Sequence, residues 1–270
     1  MINTQPLGED RKECGKASTM PSSRDTPLEV PNAVEAMPSP MTGFLSLAPH
    51  PVLDVIACTN SVMVIQCREP LEIFTGYETA NRYVVHDMYL RPLLYCQERS
   101  NFVLRNCRGN DRNFRMEMLD VFGKPFMEAI RRKSCCSCGD SLRTEYQGQL
   151  IGVMKRLFSS ANFEIYGSGC SQPLIIDTPC CIAQECCCND CSPWCCFFCA
   201  YCFGRPYSYP ILSHTGQRLG AIVRLFPGFL QHWLTDADSY VINFPADMPP
   251  NLKLLLISAV FLIDFAYFED

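Results

Sequence analysis

The chain has 270 residues, 48% of them hydrophobic and 19% charged, with a formal net charge of -5. That is enough apolar material for one large β domain or two ordinary ones, and the acidic balance excludes the broad basic face of a nucleic-acid binder. No charged segment precedes the first apolar run and prolines interrupt the opening, so no signal peptide is read there.

Residues 1–51 form the first segment. They hold eight of the 20 prolines and one aromatic of the Phe, Tyr and Trp class, Phe44. They show neither a helical nor a strand period, and are read as a disordered, proline-rich tail. Residues 52–270 are read as the folded domain. Short apolar or alternating runs follow one another there: Val62–Ile65, Arg82–Val85, Phe114–Leu119, Ile151–Met154, Phe163–Tyr166, Leu174–Ile176, Leu219–Val223 and Tyr240–Phe244. Turn signals such as Phe122-Gly123-Lys124, Ser168-Gly169 and Thr215-Gly216-Gln217 separate them, which points to an antiparallel sandwich or barrel. A soft internal echo relates Asn81–Cys96 to Asn162–Thr178 and Phe114–Arg131 to Tyr209–Arg224, and two related halves suit a closed barrel.

Nineteen cysteines are the loudest compositional feature. Their count is odd and no export signal accompanies them, so reduced thiols are expected rather than a disulfide framework. Ten lie close together: Cys180, Cys181, Cys186, Cys187, Cys188, Cys191, Cys195, Cys196, Cys199 and Cys202. Cys135, Cys136 and Cys138 form a smaller group. Thiols beside Trp194, Phe197, Phe198, Tyr201 and Phe203 suit acylation at a bilayer surface, where several chains anchor stably and one is marginal. Arg131, Arg132 and Lys133 add a small basic signal toward anionic lipid. Zinc is the rival, because Cys135/Cys138, Cys188/Cys191, Cys196/Cys199 and Cys199/Cys202 have C-x-x-C spacing. Inert free thiols are the third reading.

At the C-terminus, Leu252 to Phe268 is apolar on all sides apart from Lys253 and Asp264, with Pro249-Pro250-Asn251 as a helix start and Asn251 as its N-cap. Such a helix must be buried in protein or in lipid. Its length lies at the short limit for crossing a bilayer, and Asp264 at membrane depth is disfavoured unless paired. Leu252, Phe261, Asp264 and Phe268 are therefore expected to line either a barrel core or a membrane span, with the core preferred.

Several stretches together resemble the phospholipid scramblase family. These are Leu71-Glu72-Ile73-Phe74-Thr75-Gly76-Tyr77-Glu78-Thr79, the cysteine clusters, Trp233-Leu234-Thr235-Asp236-Ala237-Asp238-Ser239-Tyr240, Ile242-Asn243-Phe244-Pro245, and Phe261–Phe265 with the final Glu269-Asp270. The resemblance implies a tubby-like fold, a closed antiparallel β-barrel of about twelve strands around a hydrophobic C-terminal helix. It also implies calcium-stimulated, ATP-independent movement of phospholipids between leaflets, palmitoylation of the cysteine cluster, and a place on the cytoplasmic face of the plasma membrane. The alternative function is a lipid-anchored signalling adaptor that binds phosphoinositides or proteins and moves nothing. The expected partners are a phospholipid membrane and, through the N-terminal tail, other proteins.

For calcium, Asp236, Asp238 and Asp247 stand at the first, third and twelfth positions of a loop, an echo of calcium-loop spacing. Val241 occupies the place of the turn glycine and Tyr240–Phe244 alternates like a strand, so an acidic turn followed by a barrel strand competes with a weak site. The four histidines, His50, His86, His214 and His232, are scattered, and no nucleophile-elbow or phosphate-loop motif is present. No enzyme chemistry is expected.

Overall fold

The computed structural model describes residues 46–67, 80–100, 112–133, 140–157, 162–178, 207–225 and 238–268. A short helix, α1 (Pro51–Cys58), precedes twelve strands. They are β1 (Ser61–Cys67), β2 (Arg82–His86), β3 (Pro92–Arg99), β4 (Phe114–Asp120), β5 (Pro125–Lys133) and β6 (Asp140–Tyr146). Then follow β7 (Gln149–Arg156), β8 (Phe163–Gly167), β9 (Leu174–Ile176), β10 (Tyr207–Leu212), β11 (Arg218–Leu225) and β12 (Ser239–Asn243). Helix α2 (Pro250–Tyr267) ends the fold. Each strand pairs antiparallel with its sequence neighbours, and β1 pairs with β12 (Ile65 opposite Ser239, Ser61 opposite Asn243), so the barrel is closed. Closure leaves no open edge.

The expected architecture is the observed one. The internal echo falls on hairpins six strands apart: β2–β3 against β8–β9, and β4–β5 against β10–β11. Alternation decides which side chains face inward. In β4, Phe114, Met116, Met118 and Asp120 are buried while Arg115 is exposed. Outside, Arg115 meets Glu128 and Arg99 meets Glu117 across neighbouring strands, exposed pairs that contribute little stability.

Helix α2 fills the interior. Every residue from Asn251 to Phe265 is buried. Its aromatics touch walls on several sides: Phe261 lies against Tyr83 of β2, Phe265 stacks on Phe114 of β4, and Tyr267 meets Phe163 of β8. Each large apolar side chain so buried stabilises the fold by roughly 1.5–3 kcal/mol. At Gly152 the β7 wall approaches so closely that an added Cβ would stand 2.5 Å from a methyl of Leu255. The helix is long and apolar enough to cross a bilayer, but here a barrel surrounds it.

Three details differ from the sequence expectation. Helix α2 starts at Pro250 with Pro249 as N-cap and no side-chain cap; Asn251 sits buried in its first turn. Helix α1, too short for a legible period, is capped by His50, whose Nδ1 accepts from the Val52 amide at 3.2 Å. Residues 46–50, assigned to the tail, are tied to the barrel: Leu47 packs on the core and the Ala48 carbonyl accepts from the Tyr146 hydroxyl at 2.7 Å.

Candidate functional site: the cysteine-bearing end of the barrel

In an all-antiparallel barrel, connections alternate between two ends. At one end they are short turns, residues 87–91, 121–124, 147–148, 168–173 and 213–217. The other end receives the connections β1–β2, β3–β4, β5–β6, β7–β8, β9–β10 and β11–β12, and the C-terminus of α2. Cys135, Cys136 and Cys138 belong to the β5–β6 connection, all ten cysteines from Cys180 to Cys202 to β9–β10, Asp236 to β11–β12 and Leu71–Thr79 to β1–β2. These residues themselves lie outside the described ones, as does Trp233; the strands that flank them all terminate at this one end.

The bases of several of these connections are clamped by buried or half-buried polar pairs. At β3–β4, Arg112 donates from Nε to Glu98 Oε1 (2.8 Å) and from Nη2 to Oε2 (3.1 Å), with both side chains fully buried. At β5–β6, Arg131 donates from Nε to Asp140 Oδ1 at 2.8 Å and a second bond joins Nη2 to Oδ2. At β11–β12, Arg224 Nη2 donates to Asp238 Oδ1 at 2.5 Å. At β1–β2 the clamp is neutral, Gln66 Nε2 donating to Asn81 Oδ1 at 3.0 Å. Burial pushes the Glu98 carboxyl up, but the Arg112 and Ser100 bonds and the Arg112 charge outweigh it and hold the group below the usual carboxylate range.

Two of these arginines, together with Arg156 of β7, pack on aromatics at the end of α2. Arg112 lies 4.7 Å from the Phe265 ring centroid, Arg156 lies 5.0 Å from that of Tyr267, and Arg224 lies 3.8 Å from that of Phe268. Cations gathered at a helix C-terminus meet the negative end of its dipole.

This geometry reassigns two expected sites. Arg131, expected in a basic signal with Arg132 and Lys133, is buried against Asp140, Phe114 and Phe265; Arg132 is exposed. Asp238 is 2% exposed and committed to Arg224. Asp247 is exposed beyond the far end of β12, a strand of five residues that carries the chain about 16 Å. The fold therefore does not bring Asp238 and Asp247 together. Among the described residues no group of three His, Cys, Asp or Glu side chains converges for a metal.

Of the described thiols, Cys58 and Cys67 are exposed, Cys170 is half-buried and Cys96 is buried; none forms a disulfide. Burial pushes the Cys96 thiol far up, which makes it unreactive.

Two charged residues inside α2 also have partners. Asp264 accepts from the hydroxyls of Tyr83 and Tyr240, each at 2.5 Å. Burial pushes its pKa up to about 6, against the lowering effect of those two bonds. Lys253 Nζ donates to the carbonyls of Ile56, Ala57, Thr59 and Ala246 at 2.7–3.3 Å. Leu252, Phe261 and Phe268 line the core or pack on it.

A family model described as Scramblase matches residues 41–270. The human protein named phospholipid scramblase 1 is 28% identical over 229 residues, covering 82% of this chain and 66% of its own length. Human phospholipid scramblase 2 is 27% identical over 247 residues, covering 88% and 76%. Human phospholipid scramblase family member 5 is 24% identical over 272 residues, covering 98% and 92%. An Arabidopsis thaliana protein of known X-ray structure is 12% identical, with a TM-score of 0.40, covering 79% of this chain and 96% of its own. The chain spans about two thirds of the length of the first of these relatives. With the family model matched from the segment before α1 through to the last residue, the chain belongs to the scramblase family.

Proposed function

We propose that this protein moves phospholipids between the leaflets of a bilayer, in both directions and without ATP, from the cytoplasmic face of the plasma membrane. Thioester-linked acyl chains on cysteines 180–202 tether it there, and calcium stimulates it through Asp236 and Asp238. The N-terminal segment that precedes residue 46 is left to bind protein partners. The observation that carries this reading is the gathering of both cysteine-bearing connections at one end of a closed barrel. Relatives bearing the name phospholipid scramblase support the lipid substrate. A cation at Asp238 must displace the Arg224 guanidinium, which supports weak affinity, on the order of 10⁻⁴ to 10⁻³ M. Cys135/Cys138 and the C-x-x-C pairs of the larger cluster keep zinc as the competing occupant.

A different observation favours the alternative, a lipid-anchored adaptor that binds head groups or proteins. Helix α2 fills the barrel lumen, so no head group can pass through it, and transfer has to occur by action on the bilayer from its surface.

One experiment separates the two. The chain is purified from membranes, reconstituted into liposomes with fluorescent phospholipid in both leaflets, and exposed to an impermeant quencher. Calcium is added or withheld, before and after hydroxylamine. Transfer is expected as quenching beyond the outer-leaflet fraction, greater with calcium, with fatty acid released by hydroxylamine. Quenching equal to protein-free liposomes in every arm leaves the adaptor; no released acyl chain removes the tether.

A further inference from the structure

The turn end of the barrel carries a feature that neither the fold nor the cysteine-bearing end accounts for. Three hairpins there, β2–β3, β4–β5 and β10–β11, close with the same five-residue turn. In each, the first residue's amide donates to the fifth's carbonyl: Asp87 to Arg91 (3.0 Å), Asp120 to Lys124 (2.9 Å) and Ser213 to Gln217 (2.8 Å). In each, the fourth residue's amide returns to the first's carbonyl, and its φ is positive: Leu90 (61°), Gly123 (76°) and Gly216 (82°). The first side chain then takes the amides of the third and fifth residues. Asp87 Oδ1 accepts from Tyr89 and Arg91, Asp120 Oδ1 from Phe122 and Lys124, and Ser213 Oγ from Thr215 and Gln217.

The turn is thus built entirely by its first and fourth residues, and the second and third are free to be anything. In β10–β11 they are polar, His214-Thr215, followed by Gln217. In β2–β3 they are Met88-Tyr89, followed by Leu90 and Arg91, and in β4–β5 they are Val121-Phe122, followed by Lys124. Tyr89 and Phe122 are each 82% exposed, and Met88, Leu90 and Val121 are exposed as well. The two apolar hairpins are neighbours, because β3 pairs with β4 and Leu94 stands opposite Asp120. Leu90 sharpens the case. A side chain at positive φ costs about 1–2 kcal/mol, and the other two turns use glycine there. The fold therefore tolerates strain to keep an apolar group at this tip.

The charges point to what the tips meet. Asp87 and Asp120 are buried, each with Oδ1 on the turn amides. Asp87 Oδ2 also accepts from Arg91 Nε at 2.6 Å, while the rest of the Arg91 side chain, which lies 5.4 Å from the Tyr89 ring centroid, and Lys124 are exposed beside the tips. What faces outward is a pair of apolar, aromatic prongs with a cation behind each. That arrangement matches an interface of acyl chains under anionic head groups, where aromatic rings and Leu sink and Arg or Lys stay with phosphate. We propose that the Met88–Leu90 and Val121–Phe122 turns insert into a bilayer bearing anionic phospholipid. They form a second membrane contact at the end of the barrel opposite the cysteine-bearing connections. This contact does not require lipid transfer: prongs that bind vesicles without moving lipid leave it standing.

The test uses the full chain, treated with hydroxylamine to remove thioester-linked acyl groups, and vesicles of phosphatidylcholine with and without phosphatidylserine. Sedimentation is expected to show the double variant Tyr89→Ser/Phe122→Ser binding phosphatidylserine vesicles at least about tenfold more weakly. Arg91→Gln/Lys124→Gln is expected to lose the preference for phosphatidylserine, and His214→Ser to bind as the parent. Because the substituted rings are solvent-exposed, unfolding midpoints stay unchanged, which separates lost contact from lost fold. Benzoylphenylalanine in place of Phe122 should crosslink to lipid. Unchanged vesicle binding by the double variant overturns the proposal. So does crosslinking to protein alone, or a dimer that the variant dissolves while vesicle binding persists; either outcome makes the prongs a protein interface.

Discussion

Lys253 and Asp264 are the charged residues of a mostly apolar helix, set about 16 Å apart along it, and the barrel accommodates them in opposite ways. The ammonium is surrounded by main chain. Ile56 and Ala57 belong to the last turn of α1; the Thr59 amide reaches the Ile56 carbonyl at 3.4 Å, and Lys253 donates to both carbonyls. The carboxylate is surrounded by side chains, Tyr83 of β2 and Tyr240 of β12, which come from the two strands flanking β1. The difference follows from supply. In a closed sheet the ladder consumes the amide donors along the strands, so a carboxylate there is met by side-chain donors, and at Asp264 these are hydroxyls. Carbonyls remain available at helix ends, so a cation can be met by backbone.

The largest expected effect tests the main-chain side of this contrast. Lys253→Met keeps most of the volume and removes the charge and one donor from each of four carbonyls, three of them around the end of α1, where Ile56 keeps the Thr59 amide. Urea unfolding at neutral pH should show a loss of about 4 kcal/mol. A loss below about 1 kcal/mol means that water replaces the ammonium and that α1 does not depend on α2.

None of these contacts could be read from the chain, because Lys253 and its α1 partners are separated by nearly the whole domain. What could be read was α2 itself, apolar on every face, and strands with clean alternation such as β4 and β8. Strands that hid did so for specific reasons. In β6, Leu142 is the one aliphatic on a face shared with Thr144 and Tyr146, so the alternation reads as polar. In β5 the inward face includes Arg131, neutralised by Asp140 nine residues on. In β10, Pro210 breaks the pattern but costs no bond to β9, which pairs at Ile211 and Leu212. Asp238 was legible as an acidic turn residue, but its partner Arg224 lies across a connection, so its role as a clamp was not. The scramblase resemblance was legible because it rests on short motifs in order, which need no contacts.

The next effect tests the anion. The pKa of Asp264 in the fold, about 6, lies above its ordinary 3.8, and burial is the main cause. The native state therefore holds this proton more tightly than the unfolded chain. The stability linked to it is complete below about pH 4 and disappears as pH rises through about 6, a change of about 3 kcal/mol. Other carboxylates, Glu98 among them, titrate in the opposite sense, so the measurement is the difference between the parent and Asp264→Asn. Across pH 4 to 7 that difference should decline by about 3 kcal/mol and then level. A flat difference means that Asp264 titrates normally and that the interior is wetter than its burial implies.

The smallest effect concerns the hydroxyls. Both tyrosine bonds favour the ionised carboxylate, and Tyr240 contributes more than Tyr83. Removing either one should therefore raise the Asp264 midpoint above about 6 rather than lower it. Tyr83→Phe and Tyr240→Phe keep the rings, so the Tyr83–Phe261 contact survives. Each is expected to cost about 1.5 kcal/mol at pH 8, where the carboxylate is charged, and less at pH 4, where it is protonated. The double variant should cost other than the sum, because both hydroxyls serve one carboxylate. The midpoint is read from the pH dependence of unfolding, each variant set against its own Asp264→Asn counterpart. A midpoint that falls in Tyr240→Phe would mean that water, a better-adapted donor, enters where the hydroxyl left. The anion would then be held by solvent as readily as by the barrel, and its contrast with the carbonyl cage around Lys253 would no longer hold.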